Sequence, residues 1–268
     1  MKKIPVFYHI PKNAGTYIYN RVFRSIFINY NTQDYRCNLE VMHDDAIIFR
    51  IIGSSNQPFN KFFRKMNRHV HYRVDLEHLD LSNIDVFFIE VCDDGFHLCK
   101  ELLHNRLPPN RELYKFTCLR EPYDRIVSIY NYTQSTQSSH ESYHRKFDGM
   151  TFVQYLNSEM LESGWLIRKL LNIPDTEVVT KDHFDGACAI LDNMLVFDIN
   201  DIDSNIHKIF QNCYGIEPKE FTDCLDHCKN KTEKKENIRL HQLEKETRET
   251  WLFKSKWDRK IYSKYTTK

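Results

Sequence analysis

Short apolar runs alternate with longer segments in which apolar residues recur at helical spacing, most clearly in the first half of the chain. This alternation is typical of an α/β fold, in which a mainly parallel central sheet is flanked by helices. Three of the runs are almost continuously apolar, as expected of strands that are covered on both faces. Strands are predicted at 4–9, 46–52, 84–91, 113–119 and 194–199.

The pattern shows neither an internal repeat nor a linker. It therefore predicts a single domain over residues 1–268, with a C-terminal helical segment at about 236–265. Residues 133–149 are rich in Ser, Thr, Gln and His and predict a loop, which is either a substrate lid or a plain surface loop. Other helices are predicted at 16–28, 59–67, 95–105, 122–134, 151–160, 163–172, 182–192 and 201–212.

The charges of the chain nearly cancel, with 38 basic and 37 acidic residues. Neither a nucleic-acid binder nor a membrane-surface binder is indicated, so any bound anion must be held by local charge. No apolar stretch approaches the roughly 18 residues needed to span a bilayer. A strand that begins almost at Met1, with no signal-like run before it, predicts a cytoplasmic location.

The 8 cysteines are expected to be reduced thiols, since a chain of this size does not need disulfides to hold its core. The tightest group combines Cys213 with Cys224, His227 and Cys228. That group could bind zinc, but it lacks the paired C-x-x-C spacing of common zinc sites. No metal is expected, and thiols on a helix are the preferred interpretation.

The segment Pro11-Lys12-Asn13-Ala14-Gly15-Thr16 follows the first predicted strand and precedes a helix. A tight loop at a helix N-terminus directs backbone N–H groups and the positive end of the helix dipole at one point, which suits an anion. Lys12 adds positive charge. Ala14 and Gly15 let the backbone approach a ligand, and the Thr16 hydroxyl can cap the helix and donate. A nucleotide kinase would need G-x-x-x-x-G-K-[ST], and no Gly-Lys-Ser/Thr occurs in the chain.

A second basic group follows the fourth predicted strand. Arg120 precedes a helix that opens with Pro122, whose missing N–H costs nothing in the first turn. Ser128 lies about two turns further along, so Arg120 and Ser128 can face one phosphate at the carboxyl edge of the sheet. For Arg125, contact with a ligand and an ion pair with Glu121 stay equally open.

Together the two segments resemble the donor motifs of sulfotransferases that use 3′-phosphoadenosine-5′-phosphosulfate (PAPS). The first resembles their 5′-phosphosulfate loop, and Leu119-Arg120-Glu121-Pro122 through Ser128 resembles their 3′-phosphate motif. Ala14 departs from this pattern where glycine is frequent, and Tyr17 departs where a small hydroxyl residue is frequent. The carbohydrate group, which contains heparan sulfate 2-O-sulfotransferase, is the nearest likeness. Two segments near the C-terminal end of this chain resemble motifs of that group, namely Asn230-Lys231-Thr232 and Trp257-Asp258-Arg259-Lys260-Ile261-Tyr262.

The resemblance implies a P-loop-like sulfotransferase fold and transfer of the sulfuryl group from PAPS to an acceptor hydroxyl on a saccharide. Lys12 is expected to stabilise the leaving group, and no metal is required if Lys12, Arg120 and the helix dipoles supply the positive potential. The resemblance also implies two groups of donor-binding residues: Arg120 and Ser128 at the 3′-phosphate and, at the 5′-phosphosulfate, Lys12, Asn13, Ala14, Gly15 and Thr16.

The general base is less clearly marked, because the chain has no match to the His-rich segment that such enzymes often carry. Glu90, near the end of the strand predicted at 84–91, is the first candidate. Other sulfotransferases use a glutamate in this role, and burial would raise its pKa toward working pH. A helix cap or an ion pair is the alternative role for Glu90. His97 is the second candidate for the base, and His69 or His71 is the third.

Two other functions stay open. A nucleotide-dependent kinase on a related P-loop fold would share the strand, loop and helix. A non-catalytic nucleotide-binding module would keep the donor site without a base. A saccharide could stack on Tyr130, Tyr132 or Trp165, although aromatic residues at helical spacing more often belong to a core.

Overall fold

The computed structural model describes most of the second half of the chain and parts of the first. Its residues divide into two compact units, Met1–Cys118 with Asn193–Leu225 and Leu119–Asp192 with Asp226–Lys268. The helices predicted at 59–67 and 95–105, and that at 16–28 apart from Ile18, lie outside the described residues. The described residues are 3–10, 13, 14, 18, 36–43, 46–52, 86–92, 112–134, 149–159, 161, 163–174, 176–214 and 239–266.

The first unit contains a mixed sheet with a parallel core. Its strand order is β2-β3-β4-β1-β5-β6, and β1 pairs in parallel with both of its neighbours, β4 and β5. Together with the helices, this parallel core confirms the α/β class. The strands are β1 (Ile4–His9), β2 (Arg36–His43), β3 (Ala46–Ile52), β4 (Val86–Cys92), β5 (Leu113–Leu119) and β6 (Leu195–Asp198).

The expectation of a mainly parallel sheet is only partly met. β3 pairs antiparallel with β4, and β2 pairs antiparallel with β3. Only residues 44–45 separate β2 from β3 in the sequence, a length that allows an antiparallel hairpin but not the long crossover that a parallel pair needs. β2 itself has no counterpart among the predicted strands.

The described α-helices account for all of the helices predicted between 122 and 212. None of the described helices is both long and apolar enough to cross a bilayer. Short 3-10 helices span Ile199–Asp201 and Leu240–Gln242. The α-helices are α1 (Pro122–Thr133), α2 (Phe152–Asn157), α3 (Trp165–Leu171), α4 (Lys181–Leu191), α5 (Ile202–Tyr214), α6 (Lys245–Lys254) and α7 (Lys256–Thr266).

The core of the first unit is an aromatic stack covered by α5. Phe7 and Phe116 are register partners in the β1–β5 ladder, and their ring centroids are 5.1 Å apart. Phe116 also stacks on Phe197 of β6, at 6.3 Å. The apolar residues of α5 recur at the helical period, which places them on one face of the helix. That face is buried in the core through Ile202, Ile206, Ile209, Phe210 and Cys213.

The core of the second unit is built around aromatic residues of α1 and α2. The Tyr130 ring stacks on Tyr155 at 6.0 Å and meets Phe152 edge-on at 5.2 Å. Its hydroxyl donates to the Met150 carbonyl at 2.7 Å, which satisfies the one polar atom of a buried ring. Tyr130 is therefore a core residue, as its helical spacing favours.

Arg168 of α3 is a buried cation that holds the chain on both sides of its helix. Its Nε donates to the Ser163 carbonyl at 2.8 Å, and its Nη2 donates to the Glu177 carbonyl at 2.6 Å. Its Nη1 donates to the Pro174 carbonyl. Hydrogen bonds from a charged group are stronger than neutral ones, so this side chain fixes the path of the loop between α3 and α4.

The C-terminal segment forms two consecutive helices, whereas the sequence pattern predicts one. α6 ends at Lys254, and α7 begins at Lys256. Between them Ser255 is the C-cap of α6, and its hydroxyl donates back to the Trp251 carbonyl at 2.8 Å. A serine that bonds to the carbonyl one turn earlier competes with the regular helix bonds and favours a bend. The apolar positions stay on the inner side through the break, because Trp251 and Ile261 are both buried.

Gly164, which precedes α3, is expected to tolerate no side chain. It has φ 64°, and a Cβ built there would lie 3.1 Å from Val179 Cγ2. Gly164→Ala should therefore cost the left-handed penalty of about 1 kcal/mol and a further 1–3 kcal/mol, roughly, for overpacking. Urea denaturation measures the loss of stability.

Gly149 provides the matched control for this substitution. It also has a positive φ, of 76°, but a Cβ there would meet no atom within 4 Å. Gly149→Ala should cost only the backbone penalty, about 1 kcal/mol. Equal losses in the two variants would show that contact with Val179 does not restrict position 164.

Candidate functional site

The turn that follows β1 contains the two described residues of the predicted phosphosulfate loop, Asn13 and Ala14. The Asn13 N–H donates to the Ile10 carbonyl at 3.0 Å, which closes the turn at the end of the strand. Ala14 has φ 59°, in the left-handed region. The Ile18 N–H then donates to the Ala14 carbonyl at 3.0 Å, a bond of the helical i to i−4 type. Lys12, Gly15 and Thr16 lie outside the described residues.

A left-handed residue in such a turn has a chemical consequence. Turns of this kind direct successive backbone N–H groups into one concave surface, which binds anions. Ala14 stands where the loop motif that this segment resembles often has glycine, which adopts a positive φ without a Cβ clash. At Ala14 the backbone therefore has the left-handed conformation that glycine adopts most readily.

Hydrogen bonds join this turn to the end of β5. The Asn13 Nδ2 donates to the Cys118 carbonyl at 3.0 Å, and the Cys118 thiol donates to the Asn13 carbonyl at 2.7 Å. One residue earlier, the Thr117 hydroxyl donates to the Tyr8 carbonyl at 2.7 Å. Asn13 is only 2% exposed, and Cys118 is fully buried. These hydrogen bonds between the turn and β5 were not predicted from the sequence, because the partners are far apart along the chain.

The Cys118 thiol is a donor and not a nucleophile. Burial raises its pKa far above the ordinary range, and the negative charge of Asp198 acts in the same direction. A thiol becomes reactive when its pKa is lowered and its sulfur is accessible, and neither condition holds here. Cys118, Cys188 and Cys213 are free and buried among the described cysteines.

The predicted 3′-phosphate motif lies where β5 passes into α1. Glu121 is the N-cap of α1, and its carboxylate accepts from the Asp124 N–H at 2.9 Å, with Pro122 at the first helical position. Arg120 stands immediately before this cap and is half-buried. Asn13 and Ala14 belong to the first unit, whereas Arg120 and Ser128 belong to the second.

Burial affects the charges at this junction. It lowers the pKa of Arg120, while the neighbouring Asp124 and Glu121 carboxylates raise it. Burial also raises the pKa of Glu121, which the Asp124 N–H and the positive charge of Arg259 oppose. A cation that has already lost part of its water gains more from an anionic partner than an exposed one does. Arg120 is thus suited to a phosphate.

The two remaining residues of the motif have different environments. Ser128 is half-buried on α1, two turns after the N-cap. Arg125 is 7% exposed, and its guanidinium carbon lies 3.5 Å from the ring centroid of Trp165. This cation-π contact was not predicted; the sequence left only a ligand contact or an ion pair open for Arg125. It also places a guanidinium on a ring that was a candidate for sugar stacking.

The candidates for the general base are described only in part. Glu90 lies in β4, where its backbone pairs in register with Phe7 of β1 and Ile47 of β3, and the strand continues to Cys92. The Glu90 side chain lies outside the described part, as do His97, His69 and His71. Glu90 and His97 therefore stay predictions from the sequence.

Asp258, in the C-terminal segment that resembles the carbohydrate sulfotransferases, has a structural role. The Asp258 carboxylate accepts from the Leu166 N–H at 3.1 Å, which caps α3 from α7. The N-cap residue of α3 is Gly164, which has no side chain to do this. Asn230-Lys231-Thr232 lies outside the described residues.

Searches for related proteins return no family. No protein-family model and no curated protein matches the chain. The site is therefore interpreted from its own residues.

Substitution of Ala14 tests the left-handed turn. Ala14→Gly should stabilise the protein by about 0.5–1 kcal/mol, because glycine removes the left-handed penalty, part of which is offset by its freedom in the unfolded chain. Urea denaturation of both proteins measures the difference. Ala189→Gly, in the exposed face of α4, is the control and should cost about 1 kcal/mol. Equal losses at both positions would contradict a strained Ala14.

Proposed function

We propose that this protein is a PAPS-dependent sulfotransferase with a P-loop-like fold, which transfers the sulfuryl group to a saccharide hydroxyl. The observation that carries the proposal is the left-handed turn at Asn13 and Ala14, directly after the central parallel strand. A turn of this shape followed by a helix is suited to a phosphosulfate. The resemblance of its sequence to the sulfotransferase loop specifies which anion it would bind.

The sheet topology supports this position for the ligand. In open α/β sheets, ligands bind outside the carboxyl ends of the parallel strands, where the strand order changes direction. β1 has β4 on one side and β5 on the other, and the chain reaches them in separate passes. The turn after β1 extends from the carboxyl end of a parallel strand, which is where PAPS would bind.

The donor would be held at both ends. Lys12 and the backbone amides through Thr16 would bind the 5′-phosphosulfate, with Asn13, Ala14 and Gly15 forming the turn. Arg120 and Ser128 would bind the 3′-phosphate. The partial burial of Arg120 supports its role, because it makes the contact with an anion more favourable than at an exposed site.

Transfer would proceed in line. The acceptor oxygen forms a bond to sulfur while the bond between sulfur and the bridging oxygen of the 5′-phosphate breaks. Lys12 would stabilise the negative charge that develops on the departing adenosine 3′,5′-bisphosphate. Glu90, or alternatively His97, would take the proton of the acceptor hydroxyl. The charges of the protein would supply what a metal ion otherwise would.

Ligand binding provides the first test. Adenosine 3′,5′-bisphosphate at a hundredfold excess over its Kd should raise the Tm by about 5–10 °C, since bound ligand stabilises the folded state. Lys12→Ala and Arg120→Ala should each abolish most of this shift, measured against the unliganded Tm of the same variant. Lys245→Ala removes an exposed lysine of α6 and is the control that should keep the full shift.

The other functions predict different results. A shift with ATP and magnesium, but none with the bisphosphate, would overturn the proposal in favour of a kinase. A normal bisphosphate shift without transfer of label from PAPS to any of a panel of saccharides would favour a non-catalytic nucleotide-binding module.

A further inference from the structure

The β1–β5 ladder ends before the turn, but side chains of β5 continue to bind it. The last register pair of the ladder is Phe7 with Phe116. Beyond it, the Thr117 hydroxyl binds the Tyr8 carbonyl and the Cys118 thiol binds the Asn13 carbonyl. Backbone groups that leave a ladder inside a protein must find other partners, and here β5 provides them.

We propose that Cys118 is a positioning residue for the anion-binding turn: its thiol holds the Asn13 carbonyl toward β5 and thereby aims the Ala14 N–H at the ligand. The inference deepens the proposed function and rests on it, because the ligand group concerned is the 5′-phosphosulfate of the donor.

The geometry of one peptide unit determines the direction of the Ala14 N–H. The Asn13 carbonyl and the Ala14 N–H belong to the same peptide bond, and there are no cis peptide bonds in the described part of the chain. In a planar trans peptide the C=O and N–H bonds point in opposite directions. Since the carbonyl is directed at the Cys118 sulfur, 2.7 Å away, the Ala14 N–H is directed away from β5.

The other groups of Asn13 hold the same peptide in place. The Asn13 N–H is used by the Ile10 carbonyl, at 3.0 Å, and the Asn13 Nδ2 by the Cys118 carbonyl, also at 3.0 Å. Three hydrogen bonds therefore fix the residue before Ala14. Rotation of its peptide would break the thiol bond and leave a buried carbonyl unsatisfied, which costs more than the net value of the bond.

A buried thiol suits this role. Because burial raises the Cys118 pKa far above the ordinary range, the sulfur keeps its proton at neutral pH and stays a donor. Cysteine also packs as a small apolar residue, and Cys118 belongs to the same core as Phe116 and α5. Serine would keep the donor, whereas alanine and valine would remove it.

The test compares affinities for two nucleotides by isothermal titration calorimetry. Adenosine 3′,5′-bisphosphate carries the 5′-phosphate that the turn would bind, and adenosine 3′-monophosphate lacks it. Cys118→Ala should weaken binding of the bisphosphate by about 10-fold, the value of one hydrogen bond, and leave binding of the monophosphate unchanged. Cys118→Ser should bind the bisphosphate within about 3-fold of the unmodified protein.

Cys213→Ala is the matched control. Cys213 is a second buried thiol of the same core, on α5, and burial raises its pKa to about 12. Its replacement loses a similar packing volume without removing the donor to Asn13, so bisphosphate affinity should not change. If Cys118→Ala does not fold, Cys118→Val replaces it, because valine fills the site but cannot donate.

The outcomes separate the inference from the function on which it rests. If the unmodified protein binds no bisphosphate, both the proposed function and the inference are overturned. If it binds, the inference alone fails under any of three results: the donorless Cys118 variant keeps full affinity, it loses affinity for both nucleotides equally, or Cys213→Ala loses as much.

Discussion

The structure of the site depends on how the chain satisfies its backbone polar groups once the β1–β5 ladder has ended. The Asn13 carbonyl is buried in the turn after β1, and the Cys118 carbonyl is buried at the end of β5. Each is bound by the side chain of the other residue, through the thiol and the amide. This reciprocal pair extends the contact between the two strands by one step beyond the ladder, into the turn.

In the second unit, longer side chains likewise donate hydrogen bonds to backbone carbonyls outside the regular elements. The Arg168 guanidinium binds carbonyls on both sides of α3, and the Trp257 indole donates to the Val179 carbonyl at 3.1 Å. The Lys254 amine donates to the Ser158 carbonyl at 2.7 Å, and burial lowers its pKa. In each case a donor on a helix fixes a loop that lacks regular backbone bonds. Buried backbone groups thus determine where the loops run.

Because the loops depend on non-local hydrogen bonds, the sequence predicts the strands and helices better than the loops. The strands at 46–52 and 113–119 have the predicted bounds, because short runs rich in apolar and β-branched or aromatic residues mark them locally. β2 was missed because Arg36–His43 alternates polar and apolar residues, as half-exposed strands do, and contains an asparagine that disfavours strands. The short β2–β3 connection accounts for the antiparallel pairing of those two strands but does not determine the direction of β3 against β4. The break at Ser255 has no effect on the apolar pattern, which explains why one helix was predicted.

The candidate site also has features that could be predicted from the sequence and features that could not. A tight loop after β1 could be predicted from the local sequence, and its residues Asn13 and Ala14 do form a turn, whereas Cys118 as the partner of Asn13 could not be predicted. The positive φ of Ala14 depends on both the local sequence and the non-local hydrogen bonds. A residue with a Cβ persists in the left-handed region only where its surroundings determine the conformation more strongly than its own preference does. Three hydrogen bonds hold Asn13, and they oppose rotation of the peptide that joins it to Ala14. The non-local bonds are therefore the reason that alanine can stand where glycine is frequent.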